Sequence, residues 1–243
     1  SLVKSFGGLL AIDDLSFQVN KGVIHAVIGP NGAGKTTLIS QLSGEIKPDS
    51  GTVLFDGINI SGMDVHLRSA LGLARSFQIT NIFLDLTAHD NVALAVQAHA
   101  GHSFKFWKDA TKDHELRHPA LEYLKQVGLE NRARVVAGQL SHGEHRQLEI
   151  AMALATRPKL LLLDEPMAGM GPKESIAMVE ILQELKGKLT ILLIEHDMDV
   201  VFTLADKITV LVNGRGIATD SPDVIKKNPE VKAAYLGEEN TDA

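Results

Sequence analysis

The sequence predicts an α/β domain in which a mostly parallel sheet carries an inserted helical lobe. Short continuous apolar runs, typical of strands buried on both faces, alternate with helical patterns. The block at about 86–156 differs, because helical patterns follow one another there with almost no strand signal. We therefore expect one domain in the 243 residues, with a core at about 1–85 and 157–220, a helical subdomain at about 86–156 and a C-terminal tail at about 221–243.

The same patterns place the individual elements. Strands are expected at 15–19, 24–28, 53–55, 160–163, 189–194 and 208–212. Helices of the inserted lobe are expected at 87–100, 112–127 and 142–156. A polar stretch at 99–118 contains Phe104, Phe106 and Trp107, which either pack locally in a surface excursion or form a patch that docks a partner.

Composition excludes several classes of protein. No cysteine is present, so disulfide frameworks and thiolate metal sites are excluded. The net charge of −6 gives no broad basic field, which argues against nucleic acid as the main partner. The apolar runs are far shorter than the roughly 18 residues of a membrane span, and Asp13 and Asp14 interrupt any secretory signal. We expect a soluble chain that reaches a membrane only through a partner.

A glycine-rich pattern for binding phosphate lies between the strand expected at 24–28 and a helix-compatible run. It fills the form G-x-x-x-x-G-K-[ST] with Gly29, Pro30, Asn31, Gly32, Ala33, Gly34, Lys35 and Thr36, followed by Thr37. The glycines allow a tight turn whose N–H groups converge on an anion, and the helix dipole adds to the attraction. Lys35 is predicted to reach the β and γ phosphates of a nucleotide, and the Thr36 hydroxyl is predicted to bind Mg²⁺.

Two carboxylates follow the apolar run at 160–163. Asp164 and Glu165 would lie at the carboxyl end of a strand, where open α/β sheets bind ligands, and Pro166 helps to end that strand. Asp164 is predicted to hold Mg²⁺, directly or through water, because hard cations prefer oxygen ligands. Glu165 would then orient the attacking water as general base.

His196 follows the run at 189–194 and is expected at the same edge of the sheet. A single histidine there would usually have a structural role. Its position facing the phosphates suggests a second role, because an imidazole can stabilise a γ phosphate and the attacking water.

A helix start is expected at 141–144. Ser141 and Glu144 form the pattern of a capping box, which satisfies the first helical amides whatever the function of the protein. With Gly143 in its first turn, the same helix start can also bind an anion. Because it is far from the phosphate loop in sequence, it is free to serve a nucleotide held by another subunit, and both interpretations stay open at this point.

Together these segments resemble the nucleotide-binding subunit of an ABC transporter. The resemblance rests on the phosphate loop, the triplet Ser76-Phe77-Gln78, the segments 140–144 and 160–166, and His196. These motifs occur in the family's order and span nearly the whole chain. The resemblance implies an ABC ATPase cassette with a RecA-like P-loop NTPase core, and ATP and Mg²⁺ as cofactors.

The resemblance also assigns roles that the patterns alone leave open. Phe6 would stack on the adenine, Gln78 would contact the metal, and His196 would be the switch histidine. The segment 141–144 would clasp ATP bound by the opposing subunit, so that two subunits close on two ATP molecules. The resemblance leaves open whether the pair is a homodimer or a heterodimer with a related subunit. Closure would drive transmembrane permease subunits, served by a substrate-binding protein, at the cytoplasmic face of the inner membrane.

Finer features resemble importers of branched-chain amino acids. They are Phe6-Gly7-Gly8, Pro172-Lys173-Glu174, Ile194-Glu195-His196-Asp197-Met198 and the tail Ala234-Tyr235-Leu236-Gly237. Lipopolysaccharide exporters and urea or amide importers share a similar tail, so they remain alternatives.

The sequence departs from the family's pattern at four places. His142 replaces a glycine, and its ring must point away from the opposing γ phosphate if it is not to crowd it. Glu144 replaces a glutamine. Gly171 stands where Asp or Asn is usual, which would weaken communication between the two sites. The chain is also expected to lack the strand that usually precedes Phe6, either by truncation or by loss of an edge strand, so adenine stacking would be less well supported.

Three alternatives belong to other classes. A soluble ABC-type ATPase that binds nucleic acid or ribosomes usually carries two cassettes or a long coiled-coil insertion, and neither is expected here. A P-loop kinase would leave the segment 140–144 and His196 unexplained. A regulatory module would require that His142 and Gly171 have silenced turnover.

Overall fold

The computed structural model describes residues 1–76, 82–99 and 114–236, and the side chains of all of these except 114–116 and 235–236. The strands, in chain order, are β1 Leu2–Phe6, β2 Leu9–Leu15, β3 Ile24–Ile28, β4 Leu54–Phe55, β5 Ile58–Asn59, β6 Leu73–Arg75, β7 Leu160–Asp164, β8 Thr190–Ile194, β9 Lys207–Val212 and β10 Arg215–Asp220. The helices are α1 Lys35–Ser43, α2 Val65–Leu71, α3 Ala88–His99, α4 His114–Gln126, α5 His142–Ala155, α6 Pro172–Leu185, α7 Met198–Leu204, α8 Pro222–Ile225 and α9 Pro229–Leu236.

A six-stranded sheet in the order β10-β9-β3-β8-β7-β6 forms the centre of the fold. Strands β9, β3, β8, β7 and β6 run parallel, and β10 is antiparallel to β9. Ile194 of β8 is aligned with both Val27 of β3 and Asp164 of β7. The carboxyl ends of β3, β8 and β7 therefore reach the same edge of the sheet, where ligands bind in open α/β folds.

Both faces of the sheet are covered, which explains why its central strands are continuous apolar runs. On one face, Val27 of β3 and Leu192 of β8 pack with Leu38 of α1. On the other face, Leu163 of β7 belongs to the same buried cluster as Leu148 of α5. Each fully buried leucine contributes about 1.5–3 kcal/mol relative to exposure, so these contacts fix α1 and α5 against the sheet.

Helices α3, α4 and α5 pack against one another. Val92 of α3, Leu124 of α4 and Leu148 of α5 are fully buried, and they share one cluster with Leu163 of the sheet. The helices predicted at 87–100, 112–127 and 142–156 are confirmed, with small shifts at their ends. The division of the chain into core, helical subdomain and tail stays a prediction.

The strand predicted at 15–19 is wrong. The chain forms β2 at Leu9–Leu15 instead, and no strand continues beyond Leu15 to Phe17 and Val19. Leu15 is buried, and Phe17 and Val19 pack on the same buried cluster. Their alternating apolar pattern therefore reflects packing against the core rather than pairing in a sheet.

The expectation that no strand precedes Phe6 is also wrong. Strand β1 ends on Phe6 and pairs antiparallel with β2, with Phe6 opposite Leu9. Gly7 and Gly8 form the turn, and Gly7 has φ 59°, a conformation typical of tight hairpin turns. Adjacent glycines between two apolar runs were the signal for this hairpin.

None of the helices in the described ranges has the length and apolar character needed to cross a bilayer. The predicted aromatic patch of Phe104, Phe106 and Trp107 lies outside the described residues.

Candidate functional site

The phosphate loop connects the carboxyl end of β3 to the first residue of α1. Leu38 N donates to Gly34 O at 2.9 Å, so the helix begins directly after the loop. Gly32 and Gly34 have φ angles of 77° and 102°, which favour glycine. A Cβ on Gly34 would overlap the carbonyl oxygen of Ala11 in β2. The loop therefore needs glycine both for its backbone conformation and for its packing on the β1–β2 hairpin.

Replacing Gly34 with alanine is expected to weaken ATP binding more than replacing Gly32. Both positions have positive φ, but a Cβ meets the backbone only at Gly34, whereas nothing lies within 4 Å of one at Gly32. Relieving that overlap must displace the loop, at a cost of about 1–3 kcal/mol, or about 5- to 150-fold in affinity. Isothermal titration calorimetry of the two variants measures this difference. Equal affinities would contradict the packing argument.

Lys35 and Thr36 occupy the first turn of α1. Lys35 Nζ donates to Gly29 O at 2.5 Å and to Pro30 O at 2.8 Å, so the ammonium group folds back over the loop. Lys35 is buried, whereas Thr36 is exposed. A fixed cation therefore lies beside the N–H groups of the loop, and the neighbouring hydroxyl is open to a ligand.

Asp164 ends β7 and pairs with Arg75, the last residue of β6. Arg75 Nη2 lies 3.3 Å from Asp164 Oδ2, and the two side chains are only 8% and 2% exposed. Arg75 Nη1 also contacts Glu45 Oε2 at 2.6 Å and the hydroxyls of Ser40 and Ser43 at 3.1 and 3.3 Å. The guanidinium group thus joins Asp164 to the last turn of α1 and to Glu45, two residues beyond that helix.

Burial raises the pKa of the Asp164 carboxyl above its ordinary value, and the positive charge of Arg75 opposes this rise. The ionised form of Asp164 therefore depends on nearby cations. A buried carboxylate with such a dependence is a suitable ligand for a hard cation, which prefers oxygen.

Glu165 follows β7 in a constrained turn. Its φ is 49°, and its N–H donates to Ile194 O at 2.9 Å. Among the described residues its carboxylate accepts no hydrogen bond, and Glu165 Oε1 lies 3.8 Å from His196 Nδ1. A non-glycine residue with positive φ is held there by its surroundings, and the turn presents the Glu165 carboxylate at the edge of the sheet.

Glu195 holds the two loops of this edge together. It is 1% exposed. Glu195 Oε1 accepts from Met167 N at 3.1 Å, and Oε2 accepts from His196 N at 3.2 Å. Burial raises the pKa of Glu195, while the N–H donors oppose that rise. This buried carboxyl group fixes the loop after Glu165 against the loop that carries His196.

The start of α5 forms the predicted capping box. Glu144 N donates to Ser141 Oγ at 3.2 Å, and Ser141 N donates to Glu144 Oε2 at 2.8 Å. Arg132 Nε also contacts Glu144, at 2.7 Å. His142 Nε2 lies 3.1 Å from Ala168 O, so the imidazole turns toward the loop after Glu165 in its own chain.

The structure thus gathers the phosphate loop, Asp164, Glu165 and His196 at one sheet edge, but it does not bring the segment 141–144 to the phosphate loop of the same chain. No hydrogen bond within the described ranges joins the two. Phe6 is 46% exposed at the end of β1. Gln78 lies outside the described residues.

A phosphate loop between β3 and α1, with an acid pair at the end of β7 two strands away, defines a P-loop nucleoside triphosphatase. Residues 12–168 match the ABC transporter family, and the chain belongs to that family as an ATP-binding subunit with ATPase activity. Residues 217–240 match a second family, described as branched-chain amino acid ATP-binding cassette transporter.

The similar proteins are ATP-binding cassettes. BraF of Pseudomonas aeruginosa, a high-affinity branched-chain amino acid transport ATP-binding protein, is 38% identical over 98% of this chain and 96% of its own length. A solved ATP-binding cassette of an ABC transporter in its ADP conformation is 32% identical, with a TM-score of 0.84 over 97% of this chain and 96% of that one. A dimeric bacterial ABC transporter cassette is 26% identical, with a TM-score of 0.77 over 91% and 96%.

Sequence reasoning assigned no role to three residues that support the site. Arg75 directly precedes the triplet Ser76-Phe77-Gln78, but its pairing with Asp164 crosses the sheet. Glu195 and Glu174 were noted only as parts of subfamily patterns. The signal for Glu195 was a carboxylate directly after the buried apolar residues 191–194, where an ionisable group needs partners.

Proposed function

We propose that this chain binds ATP with Mg²⁺ on its phosphate loop and that the segment 141–144 of a second ATP-binding subunit completes the site. Hydrolysis of that ATP would power import through transmembrane permease subunits. One observation carries the proposal. Strands β3 and β7, with β8 between them, deliver the phosphate loop and the pair Asp164 and Glu165 to one edge of the sheet. Phosphoryl transfer needs this combination of phosphate donors and carboxylates.

Position suggests a role for each residue of the site. The N–H groups of the loop and Lys35 would hold the β and γ phosphates and stabilise charge that develops on the γ phosphate. Glu165, whose carboxylate accepts no hydrogen bond in the described chain, would orient the attacking water as general base. His196 lies 3.8 Å from Glu165 and would stabilise the γ phosphate. Phe6, exposed at the end of β1, would stack on the adenine.

The oxygen donors fit a Mg²⁺ ion that is held largely by the nucleotide. In the described chain no cluster of three or more acidic or histidine side chains could hold a metal alone. The exposed Thr36 hydroxyl and the Asp164 carboxylate supply the oxygen ligands that Mg²⁺ takes beside phosphates and water, and Gln78 is proposed as a further ligand. When bound, Mg²⁺ neutralises charge on the phosphates, while Arg75 keeps Asp164 in place.

The segment 141–144 is proposed to act on the ATP of the neighbouring subunit. Ser141 is exposed, and the capping box orders the first turn of α5, whose N–H groups and dipole favour an anion. The imidazole of His142 turns toward Ala168, so it is directed at the loop after Glu165 rather than at a phosphate on this helix start. The similarity to a dimeric cassette supports the pairing of two subunits.

Branched-chain amino acids are the proposed cargo, carried with the help of a substrate-binding protein. The match of residues 217–240 and the similarity to BraF support this substrate class. The subunit would work at the cytoplasmic face of the inner membrane, bound to its permease. Urea or amide import and lipopolysaccharide export are the alternatives that an experiment must separate.

Purification of the tagged chain from its native membrane, followed by reconstitution of the captured complex in proteoliposomes, tests this proposal. We expect permease subunits in the complex and ATP-dependent uptake of leucine. In complexes carrying Lys35→Ala, uptake and ATP hydrolysis should both be lost, because the cation beside the phosphates is removed. Uptake of urea but not leucine would contradict the substrate, and capture of nucleic acid without a permease would contradict the transport function.

A further inference from the structure

Glu174 joins the start of α5 to the start of α6. Its Oε1 accepts from the Ser141 hydroxyl at 3.0 Å, and its Oε2 accepts from Gly171 N at 3.1 Å. The backbone N–H of Gly143 also helps to lower the pKa of the Glu174 carboxyl. Gly143 is buried, and a Cβ built on it would lie 2.6 Å from Glu174 Oε1. The carboxylate therefore lies directly against the first turn of α5.

The bonds to Glu174 use the donors that the proposed composite site requires. The Ser141 hydroxyl has a single proton, which it donates to Glu174, and the Gly143 N–H stabilises the same carboxylate. Hydrogen bonds from Gly171 and Ser141 lower the pKa of Glu174, so the carboxylate is ionised at neutral pH. An anion thus already occupies the helix start at which the partner's ATP would place its γ phosphate.

We propose that Glu174 is a positioning residue of the composite site. In the nucleotide-free subunit, the Glu174 carboxylate holds the donors of Ser141 and Gly143. The γ phosphate of the partner's ATP displaces this carboxylate. The inference rests on the proposed function. Two anions cannot both accept the single proton of the Ser141 hydroxyl, and their like charges repel when both lie at this helix start. Release of Glu174 is therefore a step in the closure of the two subunits. Because Glu174 competes with the γ phosphate, it raises the ATP concentration at which closure occurs.

The surrounding contacts allow Glu174 to leave without unfolding either helix. Glu174 keeps its bond to Gly171 N, which caps α6 from within that helix. The capping box of Ser141 and Glu144 does not involve Glu174, so the first turn of α5 stays ordered. Only the exposed hydrogen bond from Ser141 and the interaction with the Gly143 N–H must change partner.

The test uses the full chain with Glu165→Gln, so that bound ATP is not consumed, and measures the dimer by sedimentation velocity as ATP is raised. Adding Glu174→Ala is expected to lower the ATP concentration for half-maximal dimer formation by about three- to tenfold, since the competing carboxylate and its hydrogen bond from Ser141 are lost. Glu174→Gln should give a smaller shift, because the amide oxygen still accepts but the charge is gone. ATP affinity of the monomer, measured at low protein concentration, should not change.

Glu180→Ala is the matched control, because Glu180 is an exposed carboxylate of the same helix with no hydrogen bond or ion pair in the described chain. It should leave the dimer midpoint in place. An unchanged or raised midpoint for Glu174→Ala would overturn the role of Glu174 while the composite site stands. No ATP-dependent dimer in the Glu165→Gln reference would overturn the composite site, and this inference with it.

Discussion

Replacing Glu165 with glutamine is expected to lower the steady-state rate of ATP hydrolysis by about 10²–10⁴-fold, the contribution of a positioned general base. The amide has the same shape but cannot accept a proton from water. ATP binding should persist, because the groups proposed to hold the phosphates, Lys35 and the N–H groups of the loop between β3 and α1, are unchanged by the substitution. Phosphate release measures turnover, and calorimetry measures binding.

Glu180→Gln provides the control for Glu165→Gln, since it removes a charge from the surface of α6, away from the edge of the sheet. We expect its turnover to equal that of the unmodified chain. Retained hydrolysis in Glu165→Gln would refute the role assigned to Glu165, and loss of ATP binding would show that this residue supports the phosphate site itself.

Replacing Arg75 with alanine is expected to lower the free energy of unfolding by about 3–5 kcal/mol. The substitution leaves Asp164 as a buried carboxylate without its cation, which is the costly outcome for a buried ion pair. It also removes the bonds from Arg75 to Glu45, Ser40 and Ser43. Urea unfolding measures the change. The single variant Arg75→Ala leaves one buried charge unpaired, whereas the double variant Arg75→Ala with Asp164→Asn removes that charge as well. The double variant should therefore lose less stability than the sum of the losses in the two single variants.

Arg215→Ala is the matched control for this buried pair. Arg215 Nε lies 2.6 Å from Asp13 Oδ2, but the Arg215 side chain is 69% exposed. Surface ion pairs contribute about 0–1 kcal/mol, so this substitution should change stability little. If Arg75→Ala costs no more than Arg215→Ala, Arg75 does not hold Asp164 as the structure indicates.

The phosphate loop and the acid pair could be predicted because each is local. A strand, a turn and a helix start follow one another at 24–38, and β7 delivers Asp164 within a single apolar run. The capping box at Ser141 is local for the same reason, and the structure confirms it. The strands that were not predicted are β1, β2, β5, β6 and β10, which are short, polar or at the edges of sheets.

The supporting contacts could not be predicted because they join distant parts of the chain. Arg75 and Asp164 are 89 residues apart, and they meet only because β6 and β7 are neighbours in the sheet. Ser141 and Glu174 are 33 residues apart and meet where α5 and α6 begin. The hydrophobic periodicity of the sequence does not predict such pairs. Each pair depends on the packing of helices and strands, which this periodicity places only approximately.

Mixing two inactive variants tests the composite site most directly. Lys35→Ala inactivates a subunit's own phosphate loop, and Ser141→Arg inactivates the segment it offers to its partner. In a two-fold dimer of one copy of each, one site combines both defects and the other combines neither. We predict that the mixture regains ATPase activity, up to about a quarter of the unmodified level if subunits pair at random. Activity no greater than the sum of the separate variants, at any ratio and concentration, would contradict a site built from two copies of this chain.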